Sequence, residues 1–497
     1  MDFRTKFKKQ NPGLVAEIIR IAKAVQPLPV AEEYRDSLPR ALIVGGFVRD
    51  AILGVASKDV DIEVFGVDAH HLEDAMNDLF PGKVSVVGRT FGVLKIHVGE
   101  TEIDVSIPRR ESKMGVGHRG FAVTGDPALS YLDASRRRDF TMNAISADPL
   151  TGEIFDSCEG QADLKKKMLR VVDPVTFVDD PLRVYRAMQF MARFHLQIES
   201  KTKNLLVQMV SAGELGDLSK ERITEEFEKL LLRADQPSVG FELLQEIGAI
   251  KKLYPELSVM HDTDQEPEWH PEGNVWIHTM MVIDQAAKII RRKKISFSTD
   301  QKRQIMLGAL CHDFGKPATT RVIDGRIRSR GHSEEGIPLA HSFFDRFSFS
   351  HEDRDAIIKL VKAHLIPGMI VRAKDSGEIS STQFVNSIRK LIRRLSPTDI
   401  EVLLAVAEAD FRGRAFPTAQ DAVYQYGKKI RSAIIKNDLT FSAIQTLVRG
   451  EDCIKLGIPS GPRIGELLSA VESARDRGEI TTKSEGLDLL RTLIQRS

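Results

Sequence analysis

The stretch LIVGGFVRDAILGVASKDVDIEVFG, Leu42 to Gly66, decides how the first third of the chain folds. Leu42–Val44 is a strand-like apolar run, and the paired Gly45 and Gly46 permit a close backbone turn into the helix-like segment after them. The free N–H groups at such a helix start suit an anion such as a triphosphate, and Arg49, one turn in, is placed to add a charge-assisted contact. A plain turn at a strand end explains the glycine pair as well, and the run matches neither the Walker A nor the dinucleotide pattern. Asp59, Asp61 and Glu63 then alternate with Val60, Ile62 and Val64, which puts three carboxylates on one strand face and three apolar side chains on the other. On its own this comb reads as the wet face of an edge strand. Beside a phosphate-binding turn, two same-face aspartates suit a hard divalent ion such as Mg²⁺, shared with triphosphate oxygens. Asp104, in EIDVSI, is either another carboxylate from a neighbouring strand or an exposed polar position.

Strand-like runs surround this stretch. RALIVGG, DVDIEVFG, KVSVVG, GVLKIHV and TEIDVSI, with the helix-like AHHLEDAMNDLF between them, make a mixed α/β unit of roughly 130 residues. From about Asp179 the apolar spacing changes to the helical period, in PLRVYRAMQFMARF and ERITEEFEKLLLRA, and everything beyond is read as helical. Segments rich in Pro, Asp, Glu and Gly, around PEWHPEGN and DFRGRAFPTAQD, read as boundaries. A length of 497 residues suits about three or four domains. With 71 basic against 70 acidic side chains, no global positive field marks a nucleic-acid partner, so any such surface has to be local. SRRRDF, LKKKMLR, RRKK and RKLIRRL are phosphate tracks or solvated helix faces. Cys158, Cys311 and Cys453 are too few and too scattered for a disulfide framework, which suits a reducing cytosol. The N-terminal segment lacks the apolar region of a signal peptide, and no apolar run approaches the ~18 residues of a membrane span. A soluble cytoplasmic protein with no membrane partner is expected, and nothing in the sequence chooses between a monomer and a homodimer.

The order VGGFVRD, KDVDIEVFG, IPRRESKMGVGHRGF, SRRRDFTMNAIS, DDPLRVYRAMQF and ERITEEFEKLL, over residues 38–255, resembles the class II nucleotidyltransferases, specifically bacterial tRNA CCA-adding enzymes. The resemblance implies that Asp59 and Asp61 hold two Mg²⁺ ions for in-line attack of a primer 3′-hydroxyl on the α-phosphorus. It implies that Gly46 and Arg49 contact the incoming nucleotide, that Arg138 reaches its sugar or phosphates, and that Arg136 stays on the surface. Asp180 and Arg183 would read the base. Cytosine and adenine both present an exocyclic amino donor beside a ring-nitrogen acceptor, which an acceptor Asp180 and a donor Arg183 match. Asp180 before Pro181 is also an ordinary helix cap. Two positions depart from the family: Asp179 stands where Glu is usual, and Gln189 where an arginine is usual, while Arg186 is retained. Losing that cation bears on triphosphate affinity or the switch from C to A. The flexible-loop segment RRESKMGVGHRGF looks complete, which implies addition of all three nucleotides. Glu63 gains no role and keeps its solvated-face reading. Expected partners are tRNA, CTP and ATP. Intact Asp59, Asp61, Asp180 and Arg183 argue against a dead head on an RNA-binding or hydrolytic protein.

A second constellation lies beyond. His278 sits in GNVWIHTMMVI, His312 and Asp313 in LGALCHDFGKP, His332 in RSRGHSEEG, His364 in LVKAHLIPG and Asp410 in AEADFRGR. One histidine on an apolar helix face is usually a satisfied core residue, but so many on a helical background are harder to dismiss. Gly315 and Pro317 stop a helix at His312-Asp313, so both side chains can turn toward a shared centre, and imidazole with carboxylate suits a divalent transition ion that activates water for phosphoester hydrolysis. The arrangement resembles the HD family of metal-dependent phosphohydrolases. That implies His278, His312, Asp313 and Asp410 as core ligands, with His332 and His364 as the additional ligands of some members. Some long CCA-adding enzymes carry this domain, where it is associated with 2′,3′-cyclic phosphodiesterase, 2′-nucleotidase and phosphatase activity. A bacterial poly(A) polymerase shares the head but does not normally carry the HD domain. In the tail, Gly461, Pro462 and Arg463 open a helix that is either an RNA-phosphate contact or an ordinary helical turn. The expected fold is an α+β nucleotidyltransferase head with a small mixed sheet over residues 1–165, then an all-α neck (166–260), HD domain (261–412) and tail (413–497).

Overall fold

The structure is a computed structural model that describes residues 3–31, 39–57, 59–87, 93–99, 101–113, 121–293, 295–420, 423–440 and 447–495. The chain divides into two compact units, residues 1–230 with 242–249, and residues 231–241 with 250–497.

The first unit holds a mixed seven-stranded sheet in the order β3-β4-β5-β2-β1-β8-β9. Its strands are β1 (Arg40–Val44), β2 (Val60–Phe65), β3 (Val84–Val87), β4 (Val93–Val98), β5 (Thr101–Ser106), β8 (Ser146–Ala147) and β9 (Ile154–Phe155). All five apolar runs read from the sequence are strands. β6 (Arg109–Lys113) and β7 (Phe121–Gly125) form a separate antiparallel hairpin, and residues 114–120 of the expected flexible loop lie outside the described residues. β2 runs parallel to β5 and antiparallel to β1, so it is a central strand and not the edge strand its comb suggests. Val60, Ile62 and Val64 are at most 2% exposed. The helices Pro12–Val25 and Gly46–Leu53 cover β1 and β2. Farther on, helix Leu182–Phe194 buries Tyr185, Met188 and Phe190, and Phe190 meets Phe140 edge-on at 5.9 Å. A buried phenylalanine of this kind is worth about 1.5–3 kcal/mol, enough to hold the neck helix against the head. β10 (Met168–Leu169) and β11 (Gln197–Ile198) add a two-residue parallel pair beside it.

In the second unit, helices Val275–Ile290, Thr299–Cys311, His351–Ala363 and Ile400–Arg412 pack around Ile283, Leu307, Leu360 and Leu403, all at most 1% exposed. Ser298 and Gln301 form a capping box that starts the second of them. The expected all-helical background is broken by β10 and β11 in the neck and, among the described residues of the second unit, by the hairpin of β12 (Thr320–Ile323) and β13 (Arg326–Ser329). Its turn is Asp324-Gly325, both at positive φ (54° and 72°), and that Asp-Gly pair is the sequence signal that marks it. In the tail, helices Pro462–Asp476 and Lys483–Gln495 enclose Leu467, Val471 and Leu490, and Arg463 points back to Glu466 at 2.8 Å. Among the described residues no helix is long and apolar enough to cross a membrane.

Candidate functional sites

β2 and β5 bring Asp61 and Asp104 into register, and Asp59 stands just before β2. Solvent reaches Asp59 and Asp61, yet the protein closes round the Asp61 carboxylate. That crowding pushes its pKa up; Arg138 opposes the shift, and the charges of Asp104, Glu63 and Asp59 reinforce it. Burial raises Asp104 as well, against Lys95. Asp104 Oδ1 is buried without a hydrogen bond among the described residues, with only a 3.5 Å ion pair to Lys95. Carboxylates that repel one another and an under-satisfied carboxylate oxygen are what a divalent cation relieves, so Asp59, Asp61 and Asp104 fit Mg²⁺. The turn before them is equally specific. Gly45 has φ +69°, and a Cβ there would lie 2.9 Å from Arg138 Nη1 and 3.9 Å from Asp61 Oδ2. Glycine therefore leaves a cradle between the start of helix Gly46–Leu53, Arg138 and the carboxylates.

One sequence expectation needs correction here. Glu63 is not exposed: at 3% exposure it accepts a hydrogen bond from Arg137 and pairs with Arg138 at 3.3 Å. β2 is flanked by strands on both sides, and the Arg137-Arg138 run covers this end of it, so the third tooth of the comb anchors the cation that faces the first two. Arg49 is 5% exposed, and its Nη2 lies 3.5 Å from where a Cβ on Gly46 would stand, so its guanidinium sits beside the glycine turn. Its Nε donates to Asp50 at 2.8 Å, its Nη1 to Asn143 Oδ1 at 2.5 Å, and the ring of Phe194 lies 4.5 Å away. These partners set Arg49 between the glycine turn and the aromatic neck.

The expected base-reading pair is engaged by protein partners. Asp180 accepts from the Leu182 N–H at 3.2 Å, as a cap should, and from Arg222 Nη2 at 2.9 Å. Arg183 donates to the carbonyls of Thr176 (3.0 Å) and Arg137 (2.7 Å). Arg222 escaped the sequence reading, although it lies inside the quoted ERITEEFEKLL. Arg186 donates to Asp139 at 2.6 Å, and Asp139 accepts from Asn143 at 2.9 Å. Burial works against the Asp139 charge, but Arg186 and Asn143 outweigh it and hold its pKa below the usual carboxylate value. Arg49, Asn143, Asp139 and Arg186 thus form one chain from the glycine turn to the neck helix. Gln189 is 1% exposed and accepts from Arg193 at 2.8 Å, so this position faces the interior. Arg136 is exposed and pairs with Asp133 at 3.2 Å.

In the second unit all six expected metal ligands come together, buried to 8% exposure or less. His312 and His364 each follow the last residue of a helix, and their Nδ1 atoms donate to the final-turn carbonyls of Ala309 (2.8 Å) and Val361 (2.6 Å). His332 Nδ1 donates to Ser329 O at 2.7 Å and His278 Nδ1 to the Glu272 carboxylate at 2.8 Å. Each acceptor fixes the proton on Nδ1 and turns the Nε2 lone pair inward. Nε2 atoms then face one another at 3.4 Å, His278 with His312 and His332 with His364. Burial works against a charge on His312, but Asp313 and Asp410 outweigh it and raise its pKa, so the field at these nitrogens favours a cation.

His278, His312 and Asp410 form one ligand group, and Asp313, His332 and His364 a second. Asp313 faces both, with Oδ2 at 3.1 Å from His312 Nε2 and Oδ1 at 3.4 Å from His332 Nε2. The donor set fits two neighbouring divalent ions with a carboxylate between them. Burial, then the charges of His312 and His332, hold His364 at a pKa of about 3, so it stays neutral as a ligand must. Burial opposes the Asp313 charge, but His312 and Lys316 keep its pKa well below the ordinary range. Gly315 makes this convergence possible, because a Cβ there would lie 2.0 Å from His332 O. Glu272 and Lys316, the latter 2.7 Å from Asp313, were missed as site residues although PEWHPEGN and CHDFGK contain them.

Three family models match the chain: the poly A polymerase head domain over residues 41–170, the probable RNA and SrmB-binding site of polymerase A over 195–260, and the HD domain over 275–407. A multifunctional CCA protein of Thioalkalivibrio sulfidiphilus is 31% identical over 434 residues, 87% of this chain and 96% of the relative. One from Pasteurella multocida is 34% identical over 381 residues, 75% of this chain and 83% of the relative. A CCA-adding enzyme of Thermotoga maritima, solved with tRNA, shares the fold at a TM-score of 0.54 and 20% identity, over 99% of both chains. The glycine cradle, the paired strand carboxylates and the buried HD ligands thus occur in a chain that belongs to the multifunctional CCA protein family.

Proposed function

We propose that this chain adds the 3′-terminal CCA to tRNA in the cytoplasm, from CTP and ATP and without a nucleic-acid template, and that its HD centre hydrolyses phosphoesters. In this reading residues 1–165 transfer the nucleotide, 166–260 select the base and contact RNA, 261–412 hydrolyse, and 413–497 form a helical tail. The observation that carries the transferase is the register of Asp61 with Asp104, beside Asp59, the Gly45 turn and Arg138. Asp59 and Asp61 would hold Mg²⁺, with Asp104 beside them. Mg²⁺ there supplies a lowered pKa at the primer hydroxyl and charge neutralisation on the triphosphate. The amides that open helix Gly46–Leu53 and the Arg138 guanidinium, held by Glu63, receive the phosphates. Asp180 and Arg183 present their acceptor and donor to C or A by exchanging Arg222 and the backbone carbonyls for the base edge. Arg186 positions the neck helix through Asp139. tRNA is gripped mainly by shape and phosphates, so its dissociation constant rises with salt.

His278, His312 and Asp410 would hold one divalent transition ion, and Asp313, His332 and His364 a second. Such ions supply a water made acidic enough to attack a phosphoester. The substrates fitting this chemistry are 2′,3′-cyclic phosphates and 2′-phosphates, as left on damaged RNA ends.

The deciding experiment incubates the protein with tRNA ending at the discriminator base, CTP and ATP. A uniform three-nucleotide extension is expected. A long adenosine ladder would overturn the reading in favour of a poly(A) polymerase.

A further inference from the structure

The HD ligands open onto a cavity of about 580 Å³, whose wall includes Trp269, Arg328, Arg414 and Tyr426 beside Asp313 and His332. That size lies in the range of pockets that enclose a whole small molecule, whereas the metal ligands account only for a phosphoester. The rest of the wall has a composition of its own. Trp269 is 42% exposed, while the other tryptophan of the chain, Trp276, is 2% exposed. Arg326 lies over the Trp269 ring at 6.0 Å, and an indole exposed on a cavity wall is a sequence-tolerant platform for a flat ring. It is held in place, not left loose. The backbone N–H of Trp269 donates to the Glu266 carbonyl at 3.0 Å, the Glu266 carboxylate accepts from the Ile327 backbone N–H at 2.8 Å, and Glu268 pairs with Arg326 at 3.0 Å. The segment carrying Trp269 is therefore tied to β13, which carries Arg328. The Nε groups of Arg328 and Arg414 are buried and have no hydrogen-bond partner among the described residues. Arg414 already pairs through Nη2 with Asp410 at 3.4 Å, which leaves the Arg328 Nε on the wall of a phosphoester site as the donor best suited to an anionic ligand.

We propose that Trp269 stacks on the base, and Arg328 contacts the phosphate, of a nucleoside phosphate whose phosphoester sits at the HD centre. The hydrolase then recognises a terminal nucleotide and not a phosphate alone. This rests on the hydrolase reading above.

The test uses the full chain with the divalent ion that supports the wild-type rate. It compares a nucleoside 2′,3′-cyclic phosphate with glycerol 1,2-cyclic phosphate, which has the same five-membered ester and no base. Trp269→Ala is expected to raise KM for the nucleoside ester about ten-fold, within what base stacking supplies, and to leave kcat/KM for the glycerol ester unchanged. Trp269→Phe should restore most of the loss. Arg328→Gln should lower kcat/KM for both esters alike, with partial rescue by Arg328→Lys. An equal effect of Trp269→Ala on both esters, or none on either, overturns the stacking role; an inert Arg328→Gln overturns the phosphate contact. A nucleoside 2′-monophosphate should also quench tryptophan fluorescence in the wild type and not in Trp269→Phe. Binding needs no turnover: if neither ester is hydrolysed the hydrolase reading fails, and the quenching still decides whether Trp269 stacks a base.

Discussion

In the head, Asp59 and Asp61 are open to solvent and share their charge with Asp104 across two strands, whereas in the helical unit six candidate ligands are buried, the imidazole nitrogens and carboxylates already converged. Among the described residues, only the helical unit contains a close group of three metal-binding side chains. The difference follows from the chemistry each site would perform. A hard ion that arrives with a triphosphate takes part of its coordination from the substrate, so the protein need supply only a few carboxylate oxygens and an open turn. Imidazole nitrogens bring no charge and must be aimed, so every ring of the HD centre is locked through Nδ1 before any ion binds. The contrast extends to the cations. Arg183 in the head rests on exchangeable carbonyls, whereas Lys316 is fixed between Asp313 and Gln265 at 2.7 and 2.6 Å.

Substitutions can break this contrast. The largest effect is expected for His312→Ala combined with Asp313→Asn, which removes a ligand from each metal group: cyclic-phosphate hydrolysis should fall to background while the CCA ladder persists. Asp61→Asn should do the reverse, lowering nucleotide incorporation on the order of 10³-fold, since metal-borne charge stabilisation is worth several kcal/mol, with hydrolysis unchanged. If either variant lost both activities, the two sites would not be independent.

Asp139→Asn tests the chain from the glycine turn to the neck. Removing one partner of a well-buried pair costs about 3–5 kcal/mol, and Arg186 keeps 31% side-chain exposure, so about 2–3 kcal/mol is expected in urea unfolding. The pH dependence has a definite sign. The folded pKa of Asp139 lies below its unfolded value, so this stabilisation is present above the unfolded pKa and fades as pH falls toward the folded one. Loss of the difference between wild type and variant in acid is the corresponding observation.

Smaller effects sharpen the comparison. Glu272→Gln keeps the shape but weakens the acceptor that orients His278, and should reduce metal affinity about 10- to 100-fold in a metal titration of the hydrolase. Arg222→Gln frees Asp180 from a solvent-accessible ion pair, its side chains 23% and 26% exposed, and should lower KM for CTP and ATP by less than about ten-fold, because pairs that water reaches are worth at most ~1 kcal/mol.

Five of the head's strands, the shared face of Asp59 and Asp61, and the six residues that converge in the helical unit were legible because each is a local pattern: alternation within one strand, or a candidate metal-binding side chain beside a helix stop. The β12–β13 hairpin was passed over because its strands are short and polar, although Asp324-Gly325 announced the turn. Glu63 was misread, and the burial of Arg49 was not foreseen, for a different reason. Both are charged residues whose surroundings come from Arg137, Arg138, Asn143 and Phe194, far along the chain.

By itself the sequence determined which donors and acceptors this protein owns and the order in which they appear, since hydrogen-bonding and metal-binding capacity are properties of single side chains. Only the tertiary structure decided which of them face a substrate and which face each other. That Glu63 anchors Arg138, that Arg49 is buried, and that Glu272 holds the His278 ring all depend on neighbours brought close by the sheet register and by close-packed helices, and no spacing along the chain encodes those distances.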